Sequence, residues 1–362
     1  MIKICHIISG SLWAGAEAMV YHLLKGLLEY EDIELSAILF NEGKLANLMR
    51  SLNITAKVLD EDRLSSFEIL FKIRKIMLKE KNDIIHTHGY KENILTFLAA
   101  KSIRKTKLVA TQHGYPEIYG REKNLTYRFL SILNLLFISK GFSRVVSVSK
   151  DIQEIFIKRF YFRNDKVTFI HNGIEIPNEI KRKNKKPFVI GSAGRYFPVK
   201  NYSLMVEIAK IISEKNNIIF KLAGDGLERQ KIEKLIRKYG IEKAFIIKGF
   251  TDDITKFYGE LDIYINTSLH EGIPMSVLEA MAHGLPIVAP KVGGFKEIIE
   301  NGIQGFLIDE HNTQDFAEKC LQLYENPKLC KAMGYAAREK VIDFFSINYF
   351  SKKYYLLYKT LM

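Results

Sequence analysis

Apolar positions recur along this chain with two different periods. Short β-branched or aromatic runs at Ile2–Ile8, 34–40, 54–59, 84–88, 108–113, 144–148 and 166–170 predict strands. A second set follows at Phe188–Ala193, Ile218–Ala223, 245–248, Ile263–Ile265 and 287–289. Between them, apolar residues repeat every three or four positions and predict helices. These include 16–28, 67–81, one capped by Ser149, and helical segments from Gln314 to a last one at about 348–361. Strands alternating with helices give parallel sheets covered by helices. The stretch 177–187 breaks the pattern. It is polar and basic (Lys181-Arg182-Lys183-Asn184-Lys185-Lys186) and flanked by prolines, so it reads as a domain boundary between 1–180 and 187–342.

Composition agrees with two folded domains. The chain has 362 residues, 47% hydrophobic and 26% charged. Ile2–Ile8 reads as a buried strand, lacking the length and cleavage site of a signal peptide. No apolar run approaches the roughly 20 residues that span a bilayer. The longest, 129–138, contains Ser131 and Asn134 and reads as a buried helix. Cys5, Cys320 and Cys330 form neither a Cys-x-x-Cys motif nor a zinc set, which points to free thiols in a reducing cytosol. Lys and Arg number 54 against 41 Asp and Glu, a net +13 that favours nucleotides or anionic membranes as partners. Nothing resembles a zinc finger, an RRM or a clear helix-turn-helix, so nucleic acid is set aside. Helix 67–81 carries an apolar stripe of Ile69, Leu70, Ile73, Ile76 and Met77, with Lys72, Arg74, Lys75 and Lys79 around it. It reads as a solvated helix on a sheet or as a contact for anionic headgroups.

The chemistry concentrates in residues 270–286. Glu271 and Glu279 lie eight positions apart, with Gly272, Ile273, Pro274, Met275 and Ser276 between them. Pro274 fits a helix's first turn and Gly284 its end. Glu271 is then in the preceding loop and Glu279 about one turn into the helix. Such a helix start attracts phosphate, and a carboxylate one turn along can accept both hydroxyls of a ribose. Upstream, a strand is followed by Gly194, Arg195, Lys200 and another helix, which suits a diphosphate. Gly224-Asp225-Gly226 forms a tight loop, and Gly293-Gly294 opens a helix as a further phosphate contact. His86 and His88, two apart on a strand, should face opposite ways, so this pair alone makes no metal site. Asp252-Asp253 is not an Asp-x-Asp motif. Asp60-Glu61-Asp62 has that spacing but reads as solvated surface charge.

The 270–286 stretch resembles the Glu-x7-Glu signature of retaining glycosyltransferases of the GT-B fold, family 4. The resemblance continues through His283-Gly284-Leu285-Pro286 and Val292-Gly293-Gly294-Phe295-Lys296-Glu297 and covers nearly the whole chain. It is weaker in the first half. There Ala14-Gly15-Ala16-Glu17 resembles the family's Gly-Gly-x-Glu loop with Ala14 in place of the first glycine. Thr111-Gln112-His113-Gly114 resembles its histidine-glycine segment, and Asn172-Gly173 its turn before the crossover. The resemblance implies two Rossmann-like α/β domains facing across a cleft, with the final helix, 346–362, packing back on the first. It implies Glu271, His113, Arg195 and Lys200 in catalysis. Gly15, Gly194, Gly224, Asp225, Gly249, Phe250, Gly272, Ile273, Pro274, Met275, Ser276 and Glu279 would bind the donor, with Gly249-Phe250 beside the base. The donor is a nucleotide sugar, a UDP-sugar ahead of GDP-mannose. The acceptor is a saccharide, free or polyprenyl-linked, in surface polysaccharide synthesis. No metal or other cofactor is expected, domain closure completes the site, and the enzyme is cytoplasmic or peripheral at the inner membrane face. A sugar-nucleotide 2-epimerase of the same fold and an inactive nucleotide-sugar-binding protein are the competing readings.

Overall fold

In the computed structural model the alternating runs become two parallel sheets. The structure describes the chain apart from residues 11–12, 104, 116–124, 181–186, 214–216, 252 and 310, and the side chains of 125–127. The first half runs β1 (Ile2–Ile8), α1 (Gly15–Leu27), β2 (Ile33–Leu39), α2 (Lys44–Ser51), β3 (Thr55–Val58), α3 (Ser66–Glu80), β4 (Ile84–Thr87), α4 (Tyr90–Ala100), β5 (Lys107–Gln112), α5 (Leu125–Gly141), β6 (Arg144–Ser147), α6 (Lys150–Lys158) and β7 (Val167–Phe169). The second runs β8 (Phe188–Ala193), α7 (Tyr202–Ser213), β9 (Ile218–Ala223), α8 (Arg229–Tyr239), β10 (Phe245–Gly249), α9 (Ile254–Tyr258), β11 (Ile263–Ile265), α10 (Met275–Ala282), β12 (Ile287–Pro290), α11 (Phe295–Ile298), β13 (Gly305–Ile308), α12 (Thr313–Glu325), α13 (Pro327–Phe344) and α14 (Ile347–Lys359).

The strand orders are β3-β2-β1-β4-β5-β6-β7 and β10-β9-β8-β11-β12-β13. All pairings among the described residues are parallel, an arrangement in which helices cover both sheet faces, and the central strands β1, β4, β8 and β11 are buried almost throughout. Ile4, Ile85 and Val145 in the first sheet, and Ile190, Phe220 and Ile263 in the second, are fully buried. Each sheet grows outward on one side and then returns across its first strand. The reversal lies between β1 and β4, and between β8 and β11. Loops leaving the carboxyl ends there diverge, which makes these the binding points of such sheets.

The chain divides into two compact units, Met1–Gly173 with Ile347–Met362, and Ile174–Ser346. The division falls at the Asn172-Gly173 turn. Residues 181–186 of the expected linker lie outside the described residues. Helix α14 belongs to the first unit, where Phe350, Ser351, Tyr354 and Tyr358 are buried. It packs on α1 at Gly26, where a Cβ would sit 2.7 Å from Ser351 Cβ. Lys359 and the Tyr355 hydroxyl both reach Asp32, at 3.0 and 3.2 Å.

Four expectations change. Strand β13 was not foreseen in the sequence; it is only four residues long. Segment 129–138 is a helix buried on one face only: Ser131, Asn134, Leu135 and Ile138 are buried, while Phe129 and Ile132 on α5 are 63% and 58% exposed. Asn134 Oδ1 accepts a hydrogen bond from Asn93 on α4, so polar groups share the inward face of α5 with Leu135 and Ile138. Arg74 is not a free surface cation, because it donates to the carbonyls of Ala99 and Lys101, each at 2.7 Å. Glu61 is not simply solvated; it pairs with Lys91 and accepts from Asn41 Nδ2 at 2.6 Å.

Because α14 needs Gly26 bare, Gly26→Val is expected to lower stability by about 1–3 kcal/mol in urea unfolding. Gly114→Ala, where an added Cβ meets nothing within 4 Å, is the comparison and should be near neutral.

Candidate functional site

The carboxyl edge of the second sheet gathers most of the residues singled out above. After β8 the chain turns through Gly194 to Phe197 into a short 3-10 turn, Pro198–Lys200. Lys200 Nζ reaches Glu271 Oε1, on the loop after β11, at 2.5 Å, with both side chains largely shielded. Ser268 Oγ donates to the same oxygen at 2.8 Å. Two bonds tie the loops themselves: Thr267 Oγ1 to Lys200 O at 2.9 Å and Leu269 N to Val199 O at 2.8 Å. The sheet's reversal point is therefore bridged by one cation and one carboxylate. Removing either would leave the other's charge poorly compensated.

Helix α10 begins beside this bridge, as Pro274 predicts. The amides of Val277 and Leu278 both turn back to Pro274 O, at 3.1 and 3.3 Å. Met275 and Ser276 N–H donate to no acceptor among the described residues, and the first turn holds no acid. An open helix start of this kind favours an anion. Glu279 lies one turn further on, and its Oε2 accepts the Tyr258 hydroxyl at 2.7 Å. Burial raises the Glu279 carboxyl from 4.5 to about 7, and the Tyr258 bond only partly offsets this. Gly284 ends the helix region at φ +69.

Backbone proximity explains several glycines. At Gly224, φ is +119 and a Cβ would meet Gly194 O at 2.0 Å. The loops after β8, β9 and β10 are laced by Gly194 N to Ala223 O and Gly224 N to Gly249 O, at 3.1 and 2.8 Å. Gly293 and Gly294, expected as a phosphate contact, are also required by packing: a Cβ on Gly294 would be 1.8 Å from Gly272 O. Gly294 N donates to Glu271 O at 3.2 Å, so these glycines seat the Glu271 loop.

Of the other candidates, Asp225, Arg195 and Phe250 form no bond to the bridge among the described residues. Asp225 is paired with Arg229 at 2.8 Å. Arg195 is exposed, its guanidinium 5.0 Å from the Phe197 ring centre, and forms no ion pair among the described residues. Phe250 is exposed, and Gly272 and Ile273 are buried in the Glu271 loop. Asp252 lies outside the described residues. Three contributors were missed. Thr267 and Ser268 were readable, since they follow a strand's carboxyl end. Tyr258 was not, since it comes to Glu279 from a separate helix.

In the first unit, Gly15 opens α1 after Ala14. His113 follows β5 and meets a group of buried histidines. The expectation that His86 and His88 face opposite ways fails: their ring centres are 4.3 Å apart. Strand β4 ends at Thr87, so alternation does not extend to His88. His6, His86 and His88 each bring a nitrogen within 4.8 Å of the others. Burial depresses all of them, His6 to about 3 and His113 to about 4, and the rings are neutral.

Comparison with known proteins places this geometry. The profile described as Glycosyl transferases group 1 matches residues 174–340, and Glycosyltransferase Family 4 matches 13–176. The chain is 27% identical to UDP-Gal:alpha-D-GlcNAc-diphosphoundecaprenol alpha-1,3-galactosyltransferase of Escherichia coli, over 96% of this chain and 94% of that one. It is 31% identical to poly(ribitol-phosphate) alpha-N-acetylglucosaminyltransferase of Staphylococcus aureus, over 55% of this chain and 41% of that one. The fold superposes on Anabaena HepE in complex with UDP-glucose with a TM-score of 0.87 at 21% identity, covering 99% of this chain and all of that one.

Gly294→Ala forces a Cβ against Gly272 O and should displace the Glu271 loop. The expected loss is about 1–3 kcal/mol in chemical unfolding. Unchanged stability would show that the loop tolerates separation from its neighbour.

Proposed function

The chain belongs to the family 4, group 1 glycosyltransferases with the GT-B fold, and we propose that it moves a sugar from a UDP-sugar to a lipid-linked or polymeric saccharide acceptor with retention at the anomeric carbon. The observation that carries the donor reading is the Lys200–Glu271 bridge beside the open start of α10. The names of the E. coli and S. aureus relatives, a UDP-sugar with a diphosphoundecaprenol acceptor and a polymeric one, support the substrate classes.

In this reading the C1–O bond to the diphosphate breaks and its electron pair leaves on the phosphate oxygen. The acceptor hydroxyl bonds to C1 from the same face and passes its proton to that oxygen. Lys200, Arg195 and the Met275 and Ser276 amides meet the growing negative charge, a part taken by a divalent ion in other transferases. Glu279 receives the ribose hydroxyls. We assign Glu271 and His113 to the transferred sugar, and Gly249-Phe250 to the base.

The first unit supplies a surface for the lipid side. Helices α3, α4 and α5 pack in sequence, and Phe67, Phe71, Phe129 and Ile132 project from α3 and α5 into solvent. Lys72, Lys75 and Lys79 are exposed on α3. Apolar side chains set among lysines suit an anionic bilayer surface. Among the described residues no helix is long and apolar enough to cross a membrane.

Release of UDP from UDP-sugars should depend on a lipid-linked saccharide acceptor. Interconversion of sugars without acceptor would contradict transfer. Glu279→Ala should weaken UDP-glucose binding about tenfold, the scale of a lost charge-assisted hydrogen bond. Glu271→Ala should instead slow turnover by about 100-fold through misplaced sugar. Equal donor affinity in Glu279→Ala and the parent would refute the ribose assignment.

The raised Glu279 carboxyl gives this site a pH signature. Because the folded state holds its proton up to about 7, burial costs stability increasingly as pH rises from 4.5 to 7. Ribose hydroxyls favour the ionised form, so UDP-glucose affinity should fall about tenfold from pH 8 to pH 6. Titration calorimetry should show this slope in the parent and its absence in Glu279→Gln.

Flotation with vesicles checks the membrane surface. The protein should bind phosphatidylglycerol vesicles at low salt, and Phe67→Ser with Phe71→Ser should reduce binding at least about tenfold. Equal flotation of parent and variant would reject α3 as the contact.

A further inference from the structure

His113 is the end of a continuous buried chain of hydrogen-bonding groups that begins on α14. Tyr354 Oη lies 3.0 Å from Thr111 Oγ1, which lies 2.8 Å from His86 Nε2. His86 Nδ1 is 2.6 Å from Tyr358 Oη, and that hydroxyl is 3.5 Å from His6 Nε2. His6 Nδ1 is 2.9 Å from His88 Nε2, and His88 Nδ1 is 3.3 Å from His113 Nε2. His6, His86 and His88 are buried, as are both tyrosines. His113 Nδ1 has no hydrogen-bond partner among the described residues.

Each neutral imidazole has one N–H and one lone pair, so the chain has a direction. Six contacts join its seven groups. If His113 accepts at Nε2, the other six groups supply one proton to each contact and none is left over. If His113 donates from Nε2, seven donors compete for six contacts. One buried N–H or O–H then has no acceptor, which folded proteins avoid. We propose that Tyr354 and Tyr358, acting through Thr111 and the histidines, hold His113 as its Nδ1–H tautomer, so that it offers a hydrogen-bond donor to a substrate oxygen. Both tyrosines are positioning residues contributed by the last helix. The consequence for sugar recognition rests on the assignment of His113 to the transferred sugar; the tautomer itself does not.

Burial supports the neutral state that the count requires: it lowers the histidines and raises both tyrosines. The same groups fit a metal less well. Two ligands on tetrahedral zinc stand roughly 3.3 Å apart, given Zn–N of about 2.0–2.1 Å. His6 Nδ1 and His88 Nε2 are closer than that, at 2.9 Å, and face each other.

The test is a long-range proton–nitrogen correlation spectrum of the full chain labelled with 15N-histidine, without nucleotide sugar, with His113 assigned from His113→Asn. The expected spectrum has His113 protonated on Nδ1 by at least about tenfold over Nε2. In Tyr358→Phe the two halves of the chain separate. Either tautomer then leaves one unpaired group at His6, so the preference should collapse toward parity. A proton on His113 Nε2 in the parent overturns the proposal, as does an unchanged ratio in a folded Tyr358→Phe. If that variant does not fold, the parent's tautomer decides. One equivalent of zinc in elemental analysis would replace the proton chain with a metal centre and overturn it too. Turnover of His113→Ala is measured separately. A parent-like rate there removes His113 from the sugar site and leaves the tautomer result standing.

Discussion

Lys200 and Glu271 meet across the gap between β8 and β11, and much of the second unit's carboxyl edge follows from that pairing. A lone lysine or glutamate in such a shielded place would carry a desolvation cost, so each fixes the other. The bridge draws together loops that would otherwise diverge from a reversing sheet. Ser268, Thr267 and Leu269 complete the stitching from one side, and Gly294 allows the loop after β12 to close from the other. A phosphate oxygen arriving at α10 would find Lys200 already placed, with a carboxylate as its only exchangeable counter-charge among the described residues. Preorganisation of this kind lets a cation stabilise a leaving group with little rearrangement.

The two glutamates of the signature occupy different environments. Glu271 is charge-paired on a loop. Glu279 is half-buried on a helix, bonded to a phenol rather than a cation, and its carboxyl is raised. One sequence spacing thus yields one acid tied to a lysine and another whose charge is favoured only when donors arrive. The first unit shows a related economy. Its reversal point carries a neutral hydrogen-bonded group of histidines closed by tyrosines from the chain's final helix.

The alternation of apolar runs made the two sheets legible, because parallel strands buried on both faces read as continuous apolar segments. Pro274 and Gly284 bounded α10 for local reasons of φ and donor loss, and the structure follows them closely. What remained hidden depends on long-range packing. Tyr258 meets Glu279 from another helix, and Gly294 is a packing glycine only because Gly272 lies against it. His88 escaped the two-residue rule because its strand stops one residue earlier. Helix α5 misled in a further way. Its buried face mixes Ser131 and Asn134 with Leu135 and Ile138, while Phe129 and Ile132 are left exposed. The family resemblance supplied roles for His113 and Arg195 that their local sequence alone does not carry.

The most direct test of the central claim is a crystal structure with UDP-glucose bound. The account predicts diphosphate oxygens on Lys200 Nζ and the Met275 and Ser276 amides, with the ribose hydroxyls on Glu279. A nucleotide bound away from α10, with Lys200 still committed wholly to Glu271, would contradict it.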